Sequence, residues 1–317
     1  MQAGFQVEKF IDADRNRPVL VDLWYPVVNQ PPQTKNYGLA KGYVVESGEI
    51  AEGTFPLVLL SHGAMGAARD YAWIAEALAR NGFVVAGISH FAESYAFGLD
   101  TVDPAAVLRL WERPLDISAA LSHIADRSVV SSAVDMDRVG FLGHSSGGAT
   151  AMSLAGVLFD GDSITEYCNS PASSGDKGCD YASASSPAID LHLAEEDYTD
   201  RRIRAFVALD PALGPGFTDF SRVDPELRVL FVGSVENDFL PFQHHAQRLA
   251  GHFPNAASHW LDDGEGHFIY LNTCDADIRA NGVPLCVDRP GVSRQAVHDK
   301  LKITIHDFFD TSLQRED

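Results

Sequence analysis

Positive charge is scarce in this sequence. Across 317 residues, 24 Lys and Arg stand against 44 Asp and Glu, a formal net charge of −20. That excludes the basic footprint by which proteins hold nucleic acid, and it disfavours anionic membrane surfaces. Solubility is the ordinary consequence of such a surplus. Long apolar runs are lacking too. The longest, such as Pro56–Leu60 and Phe83–Ile88, have strand length, far short of the roughly 18 residues of a membrane span. No period of 20–50 residues is visible, which excludes repeat architectures. Met1–Phe10 has neither the basic n-region nor the apolar h-region of a signal peptide. Cysteines number only four, Cys168, Cys179, Cys274 and Cys286. None sits in a CxxC or Cys/His cluster with zinc-ligand spacing, so no metal is expected. They form two local pairs in loops rich in Gly, Ser, Asp and Asn, which suits them to two short disulfides, although four cysteines allow three connectivities. Paired, they imply the periplasm or the cell exterior; reduced, the cytoplasm.

What is present is an ordinary globular composition, 45% hydrophobic, enough for one large core and a single domain over residues 1–317. Apolar strands alternate with helical patterns along it. Gln6–Phe10 and Pro18–Tyr25 read as strands without a helix between them, so that edge of a sheet is expected to be antiparallel. Asn29–Gly53 reads as loop apart from Gly42–Glu46. Phe55–Leu60, Phe83–Ile88, Arg138–Leu142, Ala205–Leu209, Arg228–Val232 and Ser258–Leu261 read as buried strands. Helices are expected over Arg69–Asn81 with Gly82 as its stop, Pro114–Asp126 with Pro at the first position, Gly148–Phe159, Phe242–His252 and Arg294–Leu313. Asp160–Arg202 breaks the rhythm and is too long for a connection, so it reads as an insertion or lid. The alternation argues a mostly parallel, doubly wound sheet with helices on both faces.

Within that frame, Gly143-His144-Ser145-Ser146-Gly147 fits G-x-S-x-G. The pentapeptide alone is weak. Its place between a strand and a helix gives it meaning, because a nucleophilic Ser needs a sharp strand-to-helix turn with flanking residues that lack Cβ. Ser61-His62-Gly63-Ala64-Met65-Gly66 follows an earlier strand, where a loop could offer backbone N–H groups to a tetrahedral oxyanion. The donors expected are the N–H groups of Ser146 and Ala64, with Met65 as second choice. His62 reads as orienting that loop. His267, in Gly264-Glu265-Gly266-His267-Phe268 after the last strand, is the expected base. His244, His245, His298 and His306 lie on predicted helices and suit packing roles. Two acids follow Ser145 and precede His267, Asp210 and Asp238, and chain order does not separate them.

Leu60-Ser61-His62-Gly63, the G-x-S-x-G segment and Gly266-His267-Phe268 together resemble the α/β-hydrolase superfamily. More narrowly they resemble the branch of dienelactone-hydrolase-like proteins, platelet-activating-factor acetylhydrolases and chlorophyllases. Leu23-Trp24-Tyr25-Pro26, Arg113-Pro114-Leu115-Asp116-Ile117, Cys286-Val287-Asp288-Arg289 and Phe308-Phe309 carry the likeness further. It implies an α/β-hydrolase fold and a serine carboxylic-ester hydrolase that needs no cofactor and acts on small or lipid-like esters. The resemblance favours Asp210 as the acid, with Asp238 as the alternative used by most other α/β-hydrolases. Amide or thioester hydrolysis or acyl transfer by the same triad is the runner-up, and a non-catalytic binding scaffold the remote one. Trp73, Phe91, Tyr95, Phe97, Phe217 and His90 are candidates to surround a substrate pocket.

Overall fold

A computed structural model describes residues 1–38, 40–183, 191–280 and 283–314. Two long strands, β1 (Gln2–Asp12) and β2 (Arg17–Val27), pair antiparallel. They are followed by β3 (Gln33–Asn36) and β4 (Lys41–Glu46), a second antiparallel pair that occupies a stretch expected to be mostly loop. Then come β5 (Phe55–Ser61), α1 (Ala72–Arg80), β6 (Val84–Ser89), α2 (Glu112–Asp126), β7 (Val134–His144) and α3 (Ser146–Leu154). The second half holds β8 (Leu158–Phe159), α4 (Gly161–Cys168), α5 (Gly178–Ser183), β9 (Ile203–Leu209), β10 (Phe217–Asp219), β11 (Arg228–Ser234), α6 (Ala246–Ala250), β12 (Ala257–Leu261) and α7 (Arg294–Ser312).

The main sheet runs β12-β11-β9-β7-β5-β6-β2-β1-β4-β3. From β12 to β6 every pairing is parallel. β2 lies antiparallel to both β6 and β1, as the missing helix between the first two strands implied. Both faces of the sheet are covered, and β5 shows why its sequence is apolar throughout. Successive side chains on a strand point to opposite faces. Leu57 and Leu59 pack with Ile117 and Leu121 of α2 and Met152 of α3. Val58 and Leu60 pack on the other side with Ile74 and Leu78 of α1 and Leu301, Ile305 and Phe309 of α7. Each such side chain taken from water contributes about 1.5–3 kcal/mol. This is the α/β-hydrolase fold that the sequence implied.

Several helix boundaries differ from expectation. α1 does stop at Gly82: Phe83 N–H bonds the Leu78 carbonyl (3.1 Å) and Gly82 N–H the Ala79 carbonyl (3.3 Å), the paired closing bonds of a glycine-terminated helix. α2 starts two residues early, so Pro114 is third rather than first. First-turn N–H groups have no intrahelical acceptor, so Pro lacks nothing there. α3 begins at Ser146 and ends at Leu154, because Leu158 and Phe159 leave it to pair with β10.

Both expected disulfides are formed, Cys168–Cys179 and Cys274–Cys286. The first ties α4 to α5 inside the expected 160–202 insertion, of which residues 184–190 lie outside the described residues. This part of the insertion docks on the loop after β11. Lys177 N–H bonds the Phe239 carbonyl (2.8 Å), and Asp176 bonds His245 Nε2 (2.7 Å). Among the described residues no helix is long and apolar enough to cross a membrane.

Phe309 joins α7 to the sheet and is fully buried. Phe309→Ala should destabilise the protein by about 3–5 kcal/mol in a urea melt; a loss under about 1 kcal/mol would mean that α7 is not docked through this ring.

Candidate active site

The parallel strands bring their C-terminal ends to one edge of the sheet, where ligands bind in open α/β sheets. Ser145 sits there, between β7 and α3, at φ 56° and ψ −115°. That conformation is costly for a residue with a Cβ, on the order of 1–3 kcal/mol, so the surroundings must impose it. Ser145 N–H bonds the Leu209 carbonyl (3.0 Å), and its carbonyl accepts from Ala149 and Ala212 N–H (3.0 Å each). The flanking glycines are required by contact. A Cβ on Gly147 would collide with the Ser61 carbonyl at the end of β5, and one on Gly143 with the Gly147 carbonyl. The loop after β5 is also close: a Cβ on Gly63 would lie 3.3 Å from Ser145 Cβ. Ser146 is the first residue of α3, and first-turn N–H groups point out of a helix unpaired.

His267 lies in the loop after β12 and is 1% exposed. Three contacts fix it. Its N–H bonds Asp238 Oδ1 (2.9 Å), its carbonyl accepts from His144 Nε2 (3.0 Å), and its ring stacks on Phe239 at 5.2 Å and 9°. Asp210 Oδ2 faces His267 Nδ1 at 3.4 Å. The two acids therefore hold different places: Asp210 meets the ring, Asp238 the backbone. Asp210 follows β9 at φ 38° and is 1% exposed. Its Oδ1 accepts Ser234 N–H (2.7 Å) and its Oδ2 accepts Asn237 Nδ2 (2.8 Å).

Asn237 was not singled out by sequence reasoning, although it stands next to Asp238. Its Oδ1 accepts the N–H groups of Phe239 (2.9 Å) and Leu240 (2.8 Å), which turns its amide nitrogen toward Asp210. Tyr71 likewise lies outside every motif named above. Its hydroxyl accepts Gly63 N–H (3.1 Å) and donates to His144 Nδ1 (2.7 Å). Nothing in a linear pattern marks such bridges.

Burial sets the electrostatics. It holds His267 well below pKa 6.5, against the opposing charge of Asp238, and keeps His144 neutral as well. It pushes Asp210 up, opposed by the Ser234 hydrogen bonds. Atoms of His144, Asp210 and His267 come within 4.8 Å of one another. Both His144 nitrogens are engaged, by Tyr71 and by the His267 carbonyl, so this cluster is held by hydrogen bonds.

A cavity of about 10 Å³, room for one water, opens beside Ser146 between Leu110, Ala149, Phe159, Leu213 and Phe217. Of the aromatics expected around a pocket, Phe217 lines it. Trp73 instead stacks on His298 of α7, Phe91 packs edge-on against Phe97, and Tyr95 bonds Asp70. His245 and His298 are buried and bonded to Asp176 and the Ile269 carbonyl, while His306 pairs with its neighbour Asp307. A far larger groove, about 2010 Å³, lies at the opposite edge of the sheet among Arg138, Arg204, Arg228 and Glu226. It contains none of the site residues.

Residues 28–165 match the chlorophyllase family model. Cutinase 1 of Thermobifida cellulosilytica is 34% identical over 104 residues, 32% of this chain and 35% of that protein. Bis(hydroxyethyl) terephthalate hydrolase of Streptomyces coelicolor is 30% identical over 118 residues, 37% of this chain and 34% of its own length. Chlorophyllase type 0 of Chenopodium album is 29% identical over 136 residues, 41% and 38%. The chain thus spans about a third of the length of the curated relatives it matches. A ferulic acid esterase from Streptomyces cinnamoneus superposes with a TM-score of 0.63 at 20% identity, over 100% of this chain and 94% of that one. At that identity the likeness is one of fold.

Because the carbonyl opposing Gly147 is backbone, it cannot swing aside. Gly147→Ala should cost about 1–3 kcal/mol or more of stability, read as a lowered denaturation midpoint. An unchanged midpoint would show that the turn at Ser145 is not closely packed.

Proposed function

We propose that this chain, which belongs to the α/β-hydrolase superfamily, is a serine carboxylic-ester hydrolase working through an acyl-enzyme. The observation that carries the reading is the buried His267–Asp210 pair at the sheet edge that also holds the strained turn at Ser145. Relatives named cutinase and bis(hydroxyethyl) terephthalate hydrolase support an ester substrate.

Ser145 Oγ attacks the ester carbonyl carbon and gives its proton to His267 Nε2, the ring nitrogen that does not face Asp210. The carbonyl oxygen becomes an anion, held by the N–H groups of Ala64 and Ser146. Collapse breaks the ester C–O bond, and the leaving alcohol takes the proton from His267. Water then repeats the sequence on the acyl-enzyme, releasing the acid and restoring Ser145. Asp210 holds the Nδ1–H tautomer and stabilises the imidazolium; Asn237 and Ser234 N–H hold Asp210 in place. Asp238 shapes the loop that presents His267. No cofactor or metal enters this scheme. The substrate class is small or lipid-like esters, and α4 and α5 of the insertion serve as a cover over the loop after β11, within one domain. Two disulfides fit an oxidising compartment, periplasmic or extracellular.

A fluorophosphonate probe should label Ser145, read by peptide mapping; active protein labelled elsewhere would sink the assignment. Asp210→Asn should lower turnover of a p-nitrophenyl ester by about 10⁴-fold, and Asp238→Asn by much less. The reverse order would transfer the acid role to Asp238. His267 is a base only when neutral, and burial lowers its pKa below 6.5. The His267 limb of kcat/KM should therefore lie below pH 6.5, and a limb near pH 8 would belong to the raised Asp210 carboxyl and vanish in Asp210→Asn. A limb above about pH 7 that survives in Asp210→Asn would contradict a buried base.

A further inference from the structure

Behind the loop after β5 lies a second cluster of buried ionisable groups that the proposed chemistry does not use. Ser61, His62 and His90 are 0% exposed, Asp116 is 1%, Arg113 and Glu93 are 2%. Asp116 Oδ2 meets His90 Nδ1 at 3.0 Å, and His90 Nε2 meets Ser61 Oγ at 2.9 Å. The shape is that of a Ser-His-Asp triad, but no ester can reach it.

Its protons can be placed in one self-consistent way. Arg15 and Arg17 both pair with the Asp116 carboxylate, so His90 Nδ1–H donates to it. His90 Nε2 is then an acceptor and takes the Ser61 O–H. Ser61 Oγ in turn accepts from Arg113 Nη1 (3.2 Å), which also donates to the His62 carbonyl (2.8 Å). Glu93 pairs with Arg113 on its other edge. The backbone N–H of His90 donates to His62 Nε2 (3.1 Å), leaving Nδ1–H of His62 to donate to the Gly63 carbonyl (2.6 Å). Gly66 N–H joins it on that carbonyl at 3.2 Å. Burial keeps both imidazoles neutral, as this assignment requires.

The last bond has a consequence at the proposed oxyanion site. The Gly63 carbonyl and the Ala64 N–H belong to one planar trans peptide, in which they point in opposite directions. Fixing that carbonyl toward His62 therefore fixes the Ala64 N–H away from it. We propose that the Asp116–His90–Ser61 relay, with Arg113 and His62, is a positioning device that locks the 63–64 peptide so that Ala64 N–H is preset as an oxyanion donor. These are positioning residues, acting through the peptide and not on substrate. The proposal rests on the serine-ester reading above.

The test uses the full chain carrying Ser61→Ala, His62→Ala or His62→Asn. It compares p-nitrophenyl ester kinetics with affinity for a trifluoromethyl ketone, which forms a tetrahedral oxyanion adduct on a catalytic serine. Outright loss of an oxyanion donor lowers kcat by about 10²–10³-fold; a donor mis-aimed by Ser61→Ala or His62→Ala should lower it about tenfold to a hundredfold. KM should stay within about twofold, since ground-state binding is untouched. Ketone affinity should weaken by the same factor as kcat. His62→Asn puts an amide N–H near the place of Nδ1–H and should recover most of the loss. Ser61→Ala removes a single oxygen and keeps the test open if His62→Ala does not fold. Raised KM at unchanged kcat, ketone affinity that holds while kcat falls, or His62→Asn no better than His62→Ala at equal thermal stability would each overturn the proposal. A wild-type protein that neither binds the ketone nor takes a fluorophosphonate would overturn the serine-ester reading itself, and the proposal with it.

Discussion

The turn at Ser145 exists because three other segments hold its backbone where it could not stay alone. β9 supplies the Leu209 carbonyl, the segment after Asp210 supplies the Ala212 N–H, and the end of β5 presses the Ser61 carbonyl against Gly147. A residue at φ 56° and ψ −115° reverts to an ordinary conformation unless such contacts over-determine it. The same segments carry the other members of the proposed site. Asp210 follows Leu209 directly, and the loop with Gly63 and Ala64 follows Ser61. The contacts that strain the serine therefore also set the distances among the groups around it. Sheet order, with β7 between β5 and β9, makes this possible.

Six buried histidines surround or back this edge of the sheet: His62, His90, His144, His245, His267 and His298. Burying a cationic imidazole is expensive, so each stays neutral or faces a carboxylate. A neutral imidazole carries one donor and one acceptor, and which nitrogen is which depends on its neighbours. At His144 the Tyr71 hydroxyl claims Nδ1, and at His90 the Asp116 carboxylate claims the Nδ1 proton. Histidine serves here as a rigid, directional connector. Buried Arg113 with Glu93 fits the same logic. A buried ion pair is weak evidence for stability, whereas Arg113 holds a backbone carbonyl and a hydroxyl in one geometry.

Much of the fold was legible because burial on two faces writes itself into a strand as an unbroken apolar run. β5 and β6 are such runs, and both were readable. The edge strand β3 was not, although Gly42–Glu46 of its partner β4 stood out from the loop around it. Gln33-Thr34-Lys35-Asn36 is polar and mostly exposed, so no pattern distinguishes it from loop. The expected helix Phe242–His252 shrinks to the five residues of α6 for a tertiary reason. His245 takes φ −116° and ψ −94° so that its ring can reach both Asp176 and Gly214 N–H. No local propensity encodes a bond across 69 residues. The cysteine pairs were legible because their spacing is short and their loops are small. The places of Ser145 and His267 at strand ends were legible because each follows an apolar run in a short, glycine-marked segment.

The two acids show where a linear reading stops. Asp210 and Asp238 each follow a parallel strand, lie between Ser145 and His267 in order, and end near the same histidine. Their difference is which atom of His267 each one meets. Asp210 is inaccessible, and its carboxylate is held by Ser234 N–H and the Asn237 amide, so it can orient an imidazole from one fixed direction. Asp238 is exposed and spends Oδ1 on the His267 N–H, which fixes the loop while leaving the ring free to turn about its side-chain bonds. Stabilising an imidazolium requires contact with the ring proton in a place that water cannot screen. By that criterion the carboxylate at the ring is the one we propose as the acid. The backbone contact at Asp238 is then its complement, because a ring aimed by Asp210 is useful only if the loop beneath it does not move.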